Sequence, residues 1–450
     1  VSATDAKGRI GRWLTQAPPW AFAAYGGLAA FAAYFSMYAY RKPFAAADYG
    51  DIVGWPFVLD FKIALVIAQV AGYALSKLVG IKVVSEMPPG RRAAAILILV
   101  GGAELALVLL GVLPPAFAPL ALFANGLGLG MIWGLVFGFL EGRRLSEALG
   151  AMLCASFILA SGVVKSVGKT LLLMGVQELW MPALTGLLFA PLLFIAVAGL
   201  AQMPPPDAAD EAERVRRAPM SARDRMALLV AHGPVLAVLV AVYVLLTAVR
   251  DFRDNFSAEI WAELGFKDAA AMFSVSELPI AVAVLAALAA LSRVKDNRRA
   301  VGFNLAFIGG GLALLGASTG LHQAGMLGPV AWMTASGAGL YLAYTPFNGI
   351  LFDRMIAATG TVGTAGFLIY VADASGYVGS VALLLVKAFA RLDLDWIAFL
   401  TNLAYVTSLV GLAGTAVGGL LFDGRRRNRS RQDGLGGPYV SGAPSAPCDK

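Results

Sequence analysis

The chain is a succession of apolar stretches, each about 20 residues long, that begins near Ala21 and recurs as far as Phe422. A helix of about 20 residues rises ~30 Å, the thickness of a bilayer's hydrocarbon, and within lipid the backbone must satisfy its own polar groups. Twelve such stretches lie at about 21–40, 61–81, 93–113, 116–140, 145–174, 179–202, 226–249, 269–292, 299–321, 326–352, 360–390 and 396–422. The pattern predicts an all-α membrane protein with 12 transmembrane helices. Composition agrees, with 59% of the 450 residues hydrophobic and 14% charged, whereas a soluble domain carries about 25% charged residues. Collagenous, disordered and disulfide-stapled chains are excluded, the last because there are two cysteines, Cys154 and Cys448. A cleaved signal peptide is a poor reading of residues 1–40, because the long apolar run continues into Tyr38-Ala39-Tyr40-Arg41-Lys42.

Lysine and arginine placement sets orientation, since cytoplasmic loops retain these residues. With the N-terminus inside, 25 of the 35 fall in inner segments, including Arg91, Arg92, Arg143, Arg144 and the runs 214–225 and 425–431. Both termini are therefore expected in the cytoplasm, with the protein in the cell (inner) membrane. The +7 net charge then reports orientation, and no nucleic-acid partner is expected. A proline-rich, charged stretch from Met203 to Arg225 reads as a linker. The expected organisation is a cytoplasmic segment 1–20, a six-helix bundle 21–202, a linker 203–226, a second bundle 227–422 and a disordered basic tail 423–450. The bundles read as repeats: Arg91-Arg92-Ala93 recurs as Arg298-Arg299-Ala300, an offset of 207 that carries Arg41 to a position beside Arg250. Parallel repeats of this kind occur in secondary transporters.

Charges near or inside hydrocarbon cost about 2.5–3.5 kcal/mol each on insertion scales, so a chain that keeps several gains function from them. Here they are Lys62, Lys77, Glu104, Lys165, Arg250, Glu277, Asp373 and Lys387, with Arg41, Lys42 and Arg253 near helix ends. The excess of cations favours a small anionic substrate. One arginine from each half, Arg41 and Arg250, would clamp an oxyanion through paired hydrogen bonds, with Tyr38, Lys77 and Arg253 completing the substrate set. Glu104, Glu277 and Asp373 are the candidates for proton coupling.

Structural readings stand beside these. Arg250 would pair with Asp254 at i, i+4, Lys62 and Lys387 would snorkel to headgroups, and Glu104 would hydrogen-bond a neighbouring helix. Gly126, Gly130, Gly134 and Gly138 in the fourth span, and Gly411, Gly414 and Gly418 in the twelfth, predict close helix contacts. Gly168-Lys169-Thr170 lacks the spacing of a phosphate loop, and no metal cluster or hydrolase motif is present. No enzyme, cofactor, metal or ATPase subunit is expected, and a monomer in the lipid bilayer should suffice.

Tyr38-Ala39-Tyr40-Arg41-Lys42-Pro43-Phe44, Gly72-Tyr73-Ala74-Leu75-Ser76-Lys77-Leu78, and Gly363-Thr364-Ala365-Gly366-Phe367 with Gly376-Tyr377-Val378-Gly379-Ser380 carry a resemblance. The chain resembles the major facilitator superfamily and, within it, the organophosphate:phosphate antiporters. That resemblance implies two six-helix repeats alternating between inward-open and outward-open states. It also implies that Arg41 binds the substrate phosphate, that Lys77 lines the pathway and that Arg250 completes the clamp. The chain departs from the pattern in the loop after the second span and in having Ser156 in the region of the family's fifth-span histidine. A proton-coupled transporter of another organic anion, and a transporter-like membrane sensor, are the rival readings.

Overall fold

The computed structural model describes residues 8–140, 146–205, 222–348, 350–359, 365–390 and 394–435, and among them it is helical without strands. A short helix α1 (Arg9–Gln16) precedes the first half. That half comprises α2 (Pro19–Tyr38), α3 (Phe61–Glu86), α4 (Arg92–Val112), α5 (Ala118–Leu129) with α6 (Ile132–Phe137), α7 (Ser146–Leu173) and α8 (Met181–Ala201). The second half comprises α9 (Ala222–Asn255), the short α10 (Ser257–Glu263), α11 (Met272–Ser292), α12 (Asn297–Gln323), α13 (Pro329–Asn348) with α14 (Leu351–Thr359), α15 (Ala365–Phe389) and α16 (Trp396–Leu435).

Eleven of the described helical segments are long and apolar enough to cross a membrane, and the protein is an integral membrane protein. The remaining span, α13, is more polar because 12 of its 20 residues are buried against protein rather than lipid. Packing repeats between the halves. The first span touches the fifth and sixth, as the seventh touches the eleventh and twelfth, and the second packs on the fourth as the eighth does on the tenth. The halves meet along α3 against α15 and α7 against α11. These two contacts exchange under the repeat, so the fold has an internal twofold relation.

Several boundaries differ from the expected ones. The first span ends at Tyr38 rather than at residue 40, because Pro43 opens a 3₁₀ turn, Pro43–Ala46, and the chain tightens through Ala39–Lys42. The seventh span continues to Asn255 instead of stopping at 249, which places Arg250 to Asp254 on a helix rather than in a loop. The fourth span is interrupted at Gly130–Met131, between α5 and α6. The last helix runs on to Leu435, where a disordered tail was expected from 423. Linker residues 206–221, Arg143 and Arg144, Gly363-Thr364 of the eleventh-span motif, and residues 436–450 lie outside the described residues.

The glycine pattern has a direct consequence. A Cβ on Gly126 would lie 2.2 Å from the Gln69 carbonyl oxygen, and one on Gly72 2.1 Å from that of Phe123, so α3 and α5 touch backbone to backbone. Gly126→Leu is expected to destabilise the protein by about 1–3 kcal/mol or more through overpacking, read as a lowered melting temperature in detergent. Unchanged melting would show that this contact can part freely.

Candidate functional site

The turn after α2 is where backbone leaves its helical pattern between the halves, and neighbouring side chains satisfy it. Asn125 Nδ2 donates to the Tyr40 and Ala103 carbonyls at 2.9 and 3.1 Å, Gln69 Nε2 donates to the Arg41 carbonyl at 2.9 Å, and Lys62 Nζ donates to the Ala45 carbonyl at 3.0 Å. Non-helical backbone at this depth persists because protein encloses it. The result presents Arg41 and Lys42 to the second half.

Arg41 is 6% exposed, with its guanidinium carbon 3.8 Å from the Tyr73 ring centroid and 5.7 Å from that of Tyr38. Among the described residues it has no carboxylate partner, and its Nε is buried without a hydrogen bond. Arg250, from the second half, lies 4.2 Å from the Tyr344 ring and pairs with Asp251 Oδ1 at 2.7 Å. Asp251 is held in turn by the Ser380 hydroxyl at 2.7 Å. Both arginines line one cleft with Tyr38, Lys42, Phe157, Ser161, Asp251, Asp254 and Tyr341. Its volume is about 10 Å³, close to what one water centre requires. The cleft is almost closed, and a larger solute needs the halves to part.

Asp254 corrects the expected i, i+4 pair with Arg250. It instead binds two lysines of the other half, Lys42 at 2.5 Å and Lys165 at 2.7 Å, and accepts from the Ser161 hydroxyl at 2.5 Å. A second lysine–acid pair across the halves, Lys62 with Glu259 at 2.6 Å, lies on the same face. Lys62 is only 2% exposed, so the expected snorkelling is wrong; the charge is enclosed by protein. Burial pushes the Glu259 carboxyl above the usual range, against the pull of Lys62. These contacts seal the face on which α2 ends, opposite the face that carries the termini. Ser156 turns back on its own helix, donating to the Leu153 carbonyl, and the fifth-span residues that reach the site are Phe157, Ser161 and Lys165.

The other sequence-predicted residues separate. Lys77 forms a salt bridge to Asp373 across the halves, and the Tyr243 hydroxyl donates to the same carboxylate. Lys77 Nζ also stands 5.5 Å from the Tyr73 and Tyr377 rings, which links this latch to Arg41. Arg253 and Glu277 do not join the cleft: they pair with each other at 2.8 Å within the second half, and Arg253 also donates to the Met333 carbonyl at 3.0 Å. A merely structural role accounts for both. Glu104 stands apart between α4 and α8, against Gly186 and the Tyr40 ring. Both of its carboxyl oxygens are shielded and lack a hydrogen-bond partner among the described residues, where the expected helix-to-helix hydrogen bond is not formed. Sequence reasoning missed Asp251, Gln69, Asn125 and the tyrosines at 243, 341 and 344, quoted Tyr73 only within a motif and took Asp254 only as a partner for Arg250. The alternation Arg250-Asp251-Phe252-Arg253-Asp254 was their one local signal.

Two halves related by an internal twofold, meeting over a buried charged cleft, define the fold of the major facilitator transporters. A peptide transporter, POT, in complex with alafosfalin has a TM-score of 0.59 at 14% identity, over 92% of this chain and 98% of that one. A D-xylose–proton symporter gives 0.58 at 13% identity over 89% and 97%, and the nucleoside transporter NupG 0.57 at 13% over 89% and 98%. At such identities the likeness concerns the fold, and these neighbours are transporters rather than enzymes. By sequence, residues 43–425 match DUF5690, a family of unknown function, and the chain belongs to it. No curated protein matches the chain by sequence.

Proposed function

We propose that this protein is a secondary transporter for a small anionic solute, with phosphate or an organophosphate as the leading cargo, and that it works by alternating access of two bundles, 21–202 and 227–422, joined by 203–226. The observation that carries this reading is the pair of guanidiniums from opposite halves at one cleft, one of them without a carboxylate. Around that cleft Arg41, Lys42, Lys165 and Arg250 face Asp251 and Asp254, an excess of two positive charges. An anion between the arginines removes the excess, draws the halves together and stabilises the occluded state over the open ones. Without it, the uncompensated charge keeps crossing slow. The basic loops favour cytoplasmic termini and the inner membrane.

In liposomes preloaded with phosphate, the purified protein should exchange it for labelled external phosphate or phosphate ester. Robust uptake of a neutral or cationic compound that survives both Arg41→Ala and Arg250→Ala would refute the anion clamp.

Proton coupling is the second reading, and Glu104 is what favours it. Arg253 and Lys77 neutralise Glu277 and Asp373, which leaves Glu104 as the carboxyl free to exchange a proton. Glu104→Gln should then abolish uptake driven by a pH gradient and spare phosphate-for-phosphate exchange. Equal gradient-driven uptake in the variant removes Glu104 from the mechanism.

A further inference from the structure

One element stands outside the cleft and the contacts that seal it: the short helix α1, Arg9-Ile10-Gly11-Arg12-Trp13-Leu14-Thr15-Gln16. Successive residues turn about 100° around a helix axis. Trp13, Ile10, Leu14 and Gly11 therefore fall side by side on an apolar arc of about 160°, and Thr15, Arg12, Gln16 and Arg9 fill the rest. The fold covers one side of that arc. Leu14 and Gly11 are buried, whereas Ile10 and Trp13 are 47% and 52% exposed. An apolar edge beside a seated one is left open.

The place of α1 says what meets that edge. A Cβ on Gly8 would come 3.0 Å from Gln202 Oε1, so α1 starts beside the end of α8. At its other end Ala17 and Pro18 are extended, with ψ of 143° and 152°, and α2 begins at Pro19. A residue before a proline is pushed out of the helical region, so the chain breaks there and α1 does not continue the axis of the first span. Trp20, 75% exposed, stands at the start of that span, and Leu28 and Ile195 carry the exposed apolar surface along α2 and α8. The open edge of α1 adjoins this lipid-facing surface, at the level where tryptophan rings settle in a bilayer. Charge agrees. Helix α1 holds two arginines and no acid, both arginines are exposed, and Arg9 falls about 40° beyond Trp13, flanking the open edge.

We propose that α1 is a membrane-interface helix: Ile10 and Trp13 insert into the leaflet on the side of the termini, and Arg9 and Arg12 bind the phosphate groups of anionic phospholipids there. Apolar insertion and attraction to anionic headgroups act together in helices of this kind. A second copy of the chain is the poorer fit, because a twofold contact over α1 sets its arginines against one another. Leu14 and Gly11 tie α1 to the first half. Its grip on headgroups therefore also holds the half that carries Arg41 at one height in the bilayer. The contact concerns lipid rather than cargo and stands whatever solute the cleft takes.

Tryptophan fluorescence of the full chain in nanodiscs tests this, the Trp13 share being the difference between the protein and Trp13→Phe. In discs containing phosphatidylglycerol, lipids brominated near the glycerol end of their acyl chains should quench that share at least about twofold, and aqueous acrylamide should hardly reach it. In Arg9→Gln/Arg12→Gln, and in discs of phosphatidylcholine alone, the ratio of docked to undocked α1 read from this quenching should fall by at least about tenfold. Inorganic phosphate added at constant ionic strength should change nothing. The three substituted positions are exposed, so the fold survives these changes. Trp13 quenched by acrylamide and not by brominated lipid lies in water. Trp13 reached by neither is covered by protein, a second copy if the particle mass doubles. Either result overturns the proposal. So does lipid quenching that ignores both the arginines and the headgroup charge, and so does release of Trp13 by phosphate, which makes the arginines a site for the free ion.

Discussion

Arg41→Ala should lower phosphate exchange in proteoliposomes by at least about a hundredfold, with the protein still folded. Hydrogen bonds to charged groups are worth about 1.5–3 kcal/mol each, and a guanidinium makes two in parallel to an oxyanion. Losing both amounts to at least about 3 kcal/mol, or roughly two orders of magnitude in rate. Stability should be spared because Arg41 neutralises no acid among the described residues, so removing it strands no buried carboxylate. Arg41→Lys keeps the charge without the planar fork and should fall between the two. Arg253→Ala is the informative contrast. It strands Glu277 and should destabilise the fold by about 3–5 kcal/mol, which separates a structural arginine from a binding one. Near-normal exchange in Arg41→Ala would end the clamp hypothesis whatever its melting temperature.

Asp254→Asn should open the sealed face. This one carboxylate holds Lys42 and Lys165 of the opposite half, and breaking a buried pair by removing one partner costs about 3–5 kcal/mol. Because the pairs cross the seam, that cost falls on the closed state. A two-state equilibrium biased by 3 kcal/mol shifts by more than about a hundredfold. Spin labels at Val53, which is 89% exposed, and at Asp268, whose side chain is 75% exposed, report the separation of the halves there. Their distance distribution should move to longer values in Asp254→Asn and return in part when Lys165→Met is added, since one stranded cation is then gone. An unchanged distribution would show that the two lysine contacts do not hold this face.

Much of this architecture can be read without coordinates. The spans follow from the length of apolar runs, and the 207-residue offset between Arg91-Arg92-Ala93 and Arg298-Arg299-Ala300 brings Arg41 into register with Arg250. The structure puts those two side chains on one cleft. Helix ends were harder. Arg250 lay beyond the expected end of the seventh span because apolar content fades at Asp251, yet the helix continues to Asn255, where acids and bases pair on a buried face. Local spacing also misassigned partners, matching Arg250 to Asp254 when Asp251 was the answer.

What the chain alone determined is the solvent it needs, the number and parallel arrangement of its spans, and the positions where charge is retained at a cost, because run length and charge are properties of the line of residues. What only the tertiary structure decided is which charge answers which. Asp254 meets Lys165 across a separation of 89 residues, Lys42 meets Asn255 across 213, and the Glu104 carboxyl meets no hydrogen-bond partner among the described residues. Pairing within hydrogen-bond distance depends on how two helices are rotated against each other. Many side chains packed together set that rotation, and no spacing along the chain encodes it.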